Sequence, residues 1–319
     1  MGNASNDCMG MDNLLKRYYL PAMYGIEFIL GIVGCVTAIC SYIFCLKEWK
    51  SGNVYLFNLS VSDLMFICTL PSLITTYAQE QTHQNDFWCF SNRYILHLDL
   101  YSSILFLTWV SIDRYLLLKY PLRQHVLQKT SSAVVISALI WIVVTFQIMP
   151  ILTFLVDSNN SSNKTTCKDF ASSGNANHSL IYSLCLTFTG FIVPLTVLCF
   201  FYMKIVKFLK SMDRNFQNND SFKRPVTLVF SIVIVFIVLQ TPYHIMRNVR
   251  IASRVNLAKY SRCDRIIINS LYIVTRPLAF FQSVINPLFY FLMGDRLRES
   301  LFSKVRAMFT RIQEKQSQM

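Results

Sequence analysis

Two ionisable pairs and one isolated arginine carry the chemistry of this chain. In SNRYILHLDLY, Arg93 and His97 stand four residues apart; in TPYHIMRNVRIASR, His244 and Arg247 stand three apart, with Arg250 and Arg254 beyond them. Either spacing puts both members on one face of a helix. Arg276 lies alone inside the otherwise apolar run IVTRPLAFFQSVINPLFY. A guanidinium is planar, permanently charged and forked, a shape that matches a carboxylate or a phosphate. In apolar surroundings it needs such a partner, because an arginine at the centre of a membrane helix costs at least ~2.5–3.5 kcal/mol.

The surroundings are a membrane. Of 319 residues, 53% are hydrophobic and only 15% charged, too apolar for a soluble chain of this length. Seven apolar runs are each long enough to span as a helix: Leu20–Leu46, Val54–Tyr77, Tyr94–Leu118, Ser132–Val156, Leu180–Leu209, Pro225–Met246 and Ile266–Met293. None alternates with the period of a barrel strand. The fold expected is an all-α seven-transmembrane helix bundle over residues 20–293, after an extracellular N-terminus of residues 1–19 and before a cytoplasmic tail of residues 294–319. Residues 1–13 are polar and lack the apolar core of a cleavable signal peptide, so the first helix is expected to direct insertion. With the N-terminus outside, most of the 30 Lys and Arg residues fall on the inner side, as the positive-inside rule requires. That accounts for most of the +13 charge and leaves no need for a nucleic-acid partner.

Helical rise places the arginines at one level. At ~1.5 Å per residue, Arg93 lies about 31 Å and His97 about 26 Å outward of Arg114, and Arg276 about 21 Å outward of Tyr290. Arg93, Arg247 and Arg276 thus reach a similar depth from three helices. Tyr24 and Tyr77 add hydroxyls near the outer ends of the first two helices, where interfacial tyrosines are also common. Arg250 and Arg254 are expected to snorkel to the interface, an option open to Arg93 as well. The acids within the outer halves of the spans are Glu27 and Asp99, too few for three guanidiniums. An anionic ligand is the expected remainder.

Four of the ten cysteines, Cys8, Cys89, Cys167 and Cys263, fall outside the spans, and an even number there suits two disulfides. Spacing alone leaves three connectivities open. Joining Cys89 to Cys167 would pin the loop between helices four and five across the outer face, and Cys8 to Cys263 would then tie the N-terminus to the loop before helix seven. Sequons at Asn3, Asn160, Asn163 and Asn177 share that side and are expected glycosylation sites.

Asp113-Arg114-Tyr115 ends helix three, and Asn286-Pro287-Leu288-Phe289-Tyr290 lies in helix seven. With Asn58, Leu59 and Asp63 in helix two, Trp141 in helix four, Pro194 in helix five and Pro242 in helix six, the whole chain resembles the rhodopsin-like (class A) G-protein-coupled receptors. The resemblance implies a plasma-membrane receptor, not an enzyme, that needs no cofactor and couples to heterotrimeric G proteins of the inhibitory and phospholipase-activating classes. It implies that Asp113, Arg114, Tyr115, Asn286, Pro287 and Tyr290 serve activation, and that Asp63, Ser103, Ser283 and Asn286 hold a sodium ion. It also puts Tyr24, Tyr77, Arg93, His97, Arg247 and Arg276 on ligand-binding positions. Longer runs, such as YYLPAMYGIEF and VTRPLAF, narrow the resemblance to members with acidic ligands and imply a small dicarboxylate.

Two landmarks are missing. Cys35 replaces the asparagine of helix one, removing an amide from the sodium region, and Gln240 replaces the aromatic toggle of helix six. Leu96 stands where amine receptors carry an aspartate, which disfavours an amine ligand. After helix seven, Leu297, Leu301, Val305 and Phe309 recur at helical spacing, so an amphipathic helix on membrane lipid is expected. Ser300, Ser303, Thr310 and Ser317 offer arrestin a small set of phosphorylation sites. Receptors for 2-oxoglutarate, for nucleotides or for acidic-headed lipids remain as rivals. An organic-anion transporter is a weaker one, because no inverted repeats or paired broken helices appear.

Overall fold

The computed structural model describes residues 11–46, 48–78, 86–120, 125–160, 169–213, 220–256 and 258–293. Six helices are long and apolar enough to cross a membrane: α1 (Met11–Cys45), α2 (Ser51–Ala78), α3 (Phe87–Lys119), α4 (Thr130–Leu155), α5 (Ala176–Phe208) and α6 (Val229–Val255). The seventh, α7, comes in two parts, Arg262–Phe280 and Gln282–Met293. There is no strand among the described residues. Large apolar side chains such as Phe44, Phe146 and Val33 stay exposed on the outside of the bundle, as they must where the solvent is lipid. The amphipathic helix and tail expected after α7 lie outside the described residues, as do Asn3, Asn163, Cys8 and Cys167.

Helix α3 is the central post. Its apolar stretch is 78% buried inside the bundle, against 28% for α1, α4 and α5. Around it, Trp141 Nε1 donates to Asn58 Oδ1 at 2.9 Å, joining α4 to α2. Gly34 lets α1 close on α7: a Cβ there would stand 2.9 Å from Pro287 Cγ.

In α7, Pro277 lacks the N–H of one helical hydrogen bond. The helix runs through Pro277, whose carbonyl still accepts from Phe281 N at 2.8 Å, and the interruption falls at Phe281. The helix continues past the proline with Arg276 and Pro277 both buried. In α5, a π turn at Phe188–Ile192 inserts a residue and shifts the helix phase. Gly190 within it faces Tyr101, and a Cβ at Gly190 would meet that ring at 2.6 Å. The glycine is what leaves room for Tyr101 between α3 and α5.

The segment leading into α5 folds inward over one mouth of the bundle, the end expected to face outside. Asp169 precedes a single 3-10 turn, Phe170–Ser172, with Phe170 and Ala171 fully buried. Phe170 packs against Phe154, Tyr182 and His97. Arg254 on α6 fastens the turn by donating to the carbonyls of Ala171, Ser173 and Gly174 at 2.9–3.1 Å. It serves as a clamp on the loop, not as a snorkelling surface charge.

Candidate functional site

Arg276 is 3% exposed and spends its whole fork. Nε donates to the Tyr24 hydroxyl at 2.9 Å, one terminal nitrogen to the Tyr77 hydroxyl at 2.5 Å, and the other to Asp169 Oδ2 at 3.1 Å. Arg93, 1% exposed, joins the same group: it donates to Tyr77 at 2.8 Å and lies 3.8 Å from Asp169 Oδ1. Tyr272 donates its hydroxyl to Asp169 Oδ2. Burial by itself would raise the Asp169 carboxyl. The Arg276 and Arg93 guanidiniums and the Tyr272 hydrogen bond outweigh it and hold the group well below the usual carboxylate range. Asp169 is therefore ionised, a carboxylate seated on the arginines.

Arg247 stands apart. It is fully buried but bound on the other side of the mouth, to Tyr101 at 2.5 Å, Ser183 Oγ at 3.1 Å and Thr187 Oγ1 at 2.9 Å. The structure thus brings Arg93 and Arg276 into one cluster sharing Tyr77 and Asp169, with Arg247 as a second anchor on α3 and α5. Both places are lined by aromatic faces: Arg276 lies over Tyr24 and Tyr77, and Arg247 over Tyr101 and Tyr243. His97, one turn below Arg93, bonds through Nδ1 to the Arg93 carbonyl at 2.8 Å. Asp169 and Arg247 are both near enough to act on the ring electrostatically.

Tyr101→Phe tests the second anchor. A hydrogen bond to a charged group contributes about 1.5–3 kcal/mol, so an agonist that uses Arg247 should lose about ten- to a hundredfold in potency. Concentration–response curves normalised to surface receptor check this.

Asp169 is the residue that sequence reasoning missed. Hydropathy directs attention to acids within the spans, and this acid arrives from a loop. Its signal was its place two residues after Cys167, in the segment expected to cross the outer face. Glu27, which was expected to be available to an arginine, is buried, and neither carboxylate oxygen has a partner among the described residues. Asp99, also expected in the outer set, points the other way. It accepts from Ser62 at 3.0 Å, Ser103 at 3.3 Å and Ser283 at 2.9 Å.

Asp99 thereby enlarges the polar cluster expected from Asp63, Ser103, Ser283 and Asn286. Asn286 Nδ2 donates to both oxygens of Asp63 at 2.9 and 3.0 Å, and Ser103 reaches Asp63 at 3.4 Å. Asn286 Oδ1 is buried and has no partner among the described residues. Two carboxylates, two hydroxyls and that amide oxygen make an all-oxygen donor set, which fits a hard cation such as sodium. Asp99 offers oxygens where Cys35 removed an amide.

At the inner end of α3, Asp113 lies 3.3 Å from Arg114 and accepts from Ser51. Tyr115 packs on Phe201 of α5 at 5.3 Å between ring centres. Pro287 is buried against α1; Tyr290 lies in the last described turns of α7. Between the outer and inner sites, Gln240 on α6 donates to Gln282 Oε1 at 2.5 Å and to the Ala279 carbonyl at 3.2 Å. The toggle position is thus an amide tie from α6 to α7. Cys89 and Cys263 are each in a disulfide, with Cys8 and Cys167 outside the described residues. Cys35, Cys40, Cys45, Cys68, Cys185 and Cys199 are free thiols. Asn177 is exposed at the start of α5.

Residues 34–290 match the family described as 7 transmembrane receptor (rhodopsin family). The chain is 54% identical to succinate receptor 1 of Rattus norvegicus and 52% identical to that of Mus musculus, each over 94% of both chains. It is 35% identical to 2-oxoglutarate receptor 1 of Rattus norvegicus, over 95% of this chain and 89% of that one.

Proposed function

The chain belongs to the rhodopsin family of seven-transmembrane receptors, and we propose that it answers to succinate, or a closely similar small dicarboxylate, and signals through heterotrimeric G proteins. It is a multi-pass membrane protein and not an enzyme. The observation that carries the ligand assignment is the seat of Asp169: a carboxylate held by Arg276, Arg93 and Tyr272, across the mouth from Arg247, which has no acid on it among the described residues. Such a pair of anchors suits a ligand with two carboxylates, one exchanging for Asp169 and the other meeting Arg247. The naming of two relatives as succinate receptors supports the same ligand.

Binding links α3, α6 and α7 at their outer ends. Succinate need only favour the active arrangement over the resting one to shift the population. Movement of α6 relative to α7 strains the Gln240–Gln282 tie, and release of Arg114 from Asp113 opens the inner groove to a G protein. The remaining assignments belong to the same reading: the N-terminus outside at the plasma membrane, inhibitory and phospholipase-activating G proteins, arrestin on the phosphorylated tail, sodium at Asp63, Ser103, Ser283 and Asn286, disulfides Cys89–Cys167 and Cys8–Cys263, and glycans at Asn3, Asn160, Asn163 and Asn177.

The test is a concentration series of succinate, 2-oxoglutarate and adenine nucleotides on cells expressing the chain, reading cyclic AMP and inositol phosphates. Succinate is expected to act at the lowest concentration. A nucleotide acting at lower concentration than either dicarboxylate would replace the assignment.

A further inference from the structure

His97 is 1% exposed and its hydrogen bonding fixes which nitrogen carries the proton. Nδ1 faces the carbonyl oxygen of Arg93 at 2.8 Å. A carbonyl can only accept, so the hydrogen in that bond sits on Nδ1. Nε2 is buried and has no partner among the described residues. In a neutral ring it presents a bare lone pair; in a protonated ring it presents a second N–H. A carboxylate brought to the lone pair is repelled, and one brought to the N–H forms a charge-assisted hydrogen bond. Phe170 lies edge-to-face with the ring, at 86° and 6.1 Å between centres, which holds it against turning Nε2 away.

We propose that the site takes up its dicarboxylate together with one proton, which binds at His97 Nε2. The inference rests on the ligand reading above and says how that ligand is held. The dianion enters, the Nε2 lone pair takes a proton from solvent, and the new N–H donates to a carboxylate oxygen; no other bond is made or broken. The charged and titratable groups around the ring are Arg93 on its own helix, Asp169 from the loop, and Arg247 and His244 on α6. Arg276 and Tyr272 on α7 and Tyr77 on α2 are linked to Asp169 and Arg93. In the ligand-free site Asp169 is held ionised by its arginines and cannot store the proton; once the ligand displaces it, its carboxylate is a rival, which Asp169→Asn tests by keeping the proton uptake. His244 can store it: both its nitrogens are buried without partners among the described residues, and its ring is stacked on Phe191 at 4.3 Å. It is the other internal rival that the experiment must separate.

The full-length receptor in lipid nanodiscs is titrated calorimetrically with succinate in two buffers of different ionisation enthalpy. Between about pH 7 and 8.5, uptake of one proton should weaken binding by up to about tenfold per pH unit. His97→Gln places an amide N–H near the Nε2 position without a titrating group. This variant should bind with a flat pH dependence and no buffer-dependent heat, while His244→Gln should keep both signatures. Zero proton uptake by the wild type overturns the proposal. So does uptake that survives in His97→Gln or disappears in His244→Gln. Failure of the wild type to bind succinate at any pH instead removes the ligand assignment, and this inference with it.

Discussion

Arg276→Ala should abolish the response to succinate at concentrations that saturate the wild type, with potency lower by about two to three orders of magnitude. The side chain donates to Tyr24, Tyr77 and Asp169 from a buried position. Removing one partner of a buried, hydrogen-bonded charge pair costs about 2–5 kcal/mol, and every 1.4 kcal/mol is about tenfold in affinity. Arg276→Lys keeps the charge but not the fork. One ammonium cannot reproduce three divergent contacts, so it should fall between wild type and alanine. The alanine variant also strands Asp169, whose nearest remaining cation is Arg93 at 3.8 Å, so it loses folded receptor as well as ligand contacts. Arg276→Ala combined with Asp169→Ala removes both charges. It should restore surface receptor toward the wild-type amount and leave succinate inactive. A full succinate response from that double variant would move the ligand away from this cluster.

How far the sequence foretold this arrangement depended on which physical signal each residue sends. Apolar length is strong, and the spans were legible as such. Their ends were not: α1 begins at Met11, ahead of the expected Leu20, because its first turns carry Asp12 and Lys16, an exposed i,i+4 pair that lowers hydropathy without stopping a helix. Helix α6 likewise runs to Val255 through the arginine-rich stretch that ended the apolar run at Met246. Within the site, helical spacing put the arginines at one level but could not say which shared a partner. Arg93 and Arg276 meet only through Tyr77 and a loop carboxylate. The path of a loop has no period, so Asp169 was out of reach, and with it the division of three arginines into a pair and a single. Asp99 misled for a related reason: depth along a helix follows from counting, whereas its facing depends on the neighbouring helices, and Ser62 and Ser283 draw it inward.

Asp169→Asn should make the receptor more sensitive to succinate. In the ligand-free protein the Asp169 carboxylate occupies Arg276, so on the proposed reading binding includes its displacement by a ligand carboxylate. An amide keeps the shape and loses the charge. Hydrogen bonds to charged groups contribute about 1.5–3 kcal/mol, so relieving the competition should lower the half-maximal concentration by about ten- to a hundredfold. The unliganded variant should also be less stable, because Arg276 keeps only two tyrosine hydroxyls and Arg93 loses its acid. Saturating succinate should then raise its melting temperature by more than it raises that of the wild type, as expected of any ligand that binds the folded state alone. The pH behaviour separates the two carboxylate partners. A carboxyl held below its ordinary range contributes stability that is complete above the unfolded value and is lost only as pH falls through the lower folded one. Asp169 is in that position, so its contact with Arg276 should not change between about pH 7 and 8.5. Any pH dependence of succinate binding in that range should therefore persist in Asp169→Asn and vanish in His97→Gln. If potency instead falls in Asp169→Asn, the loop carboxylate is part of the bound arrangement and not its competitor.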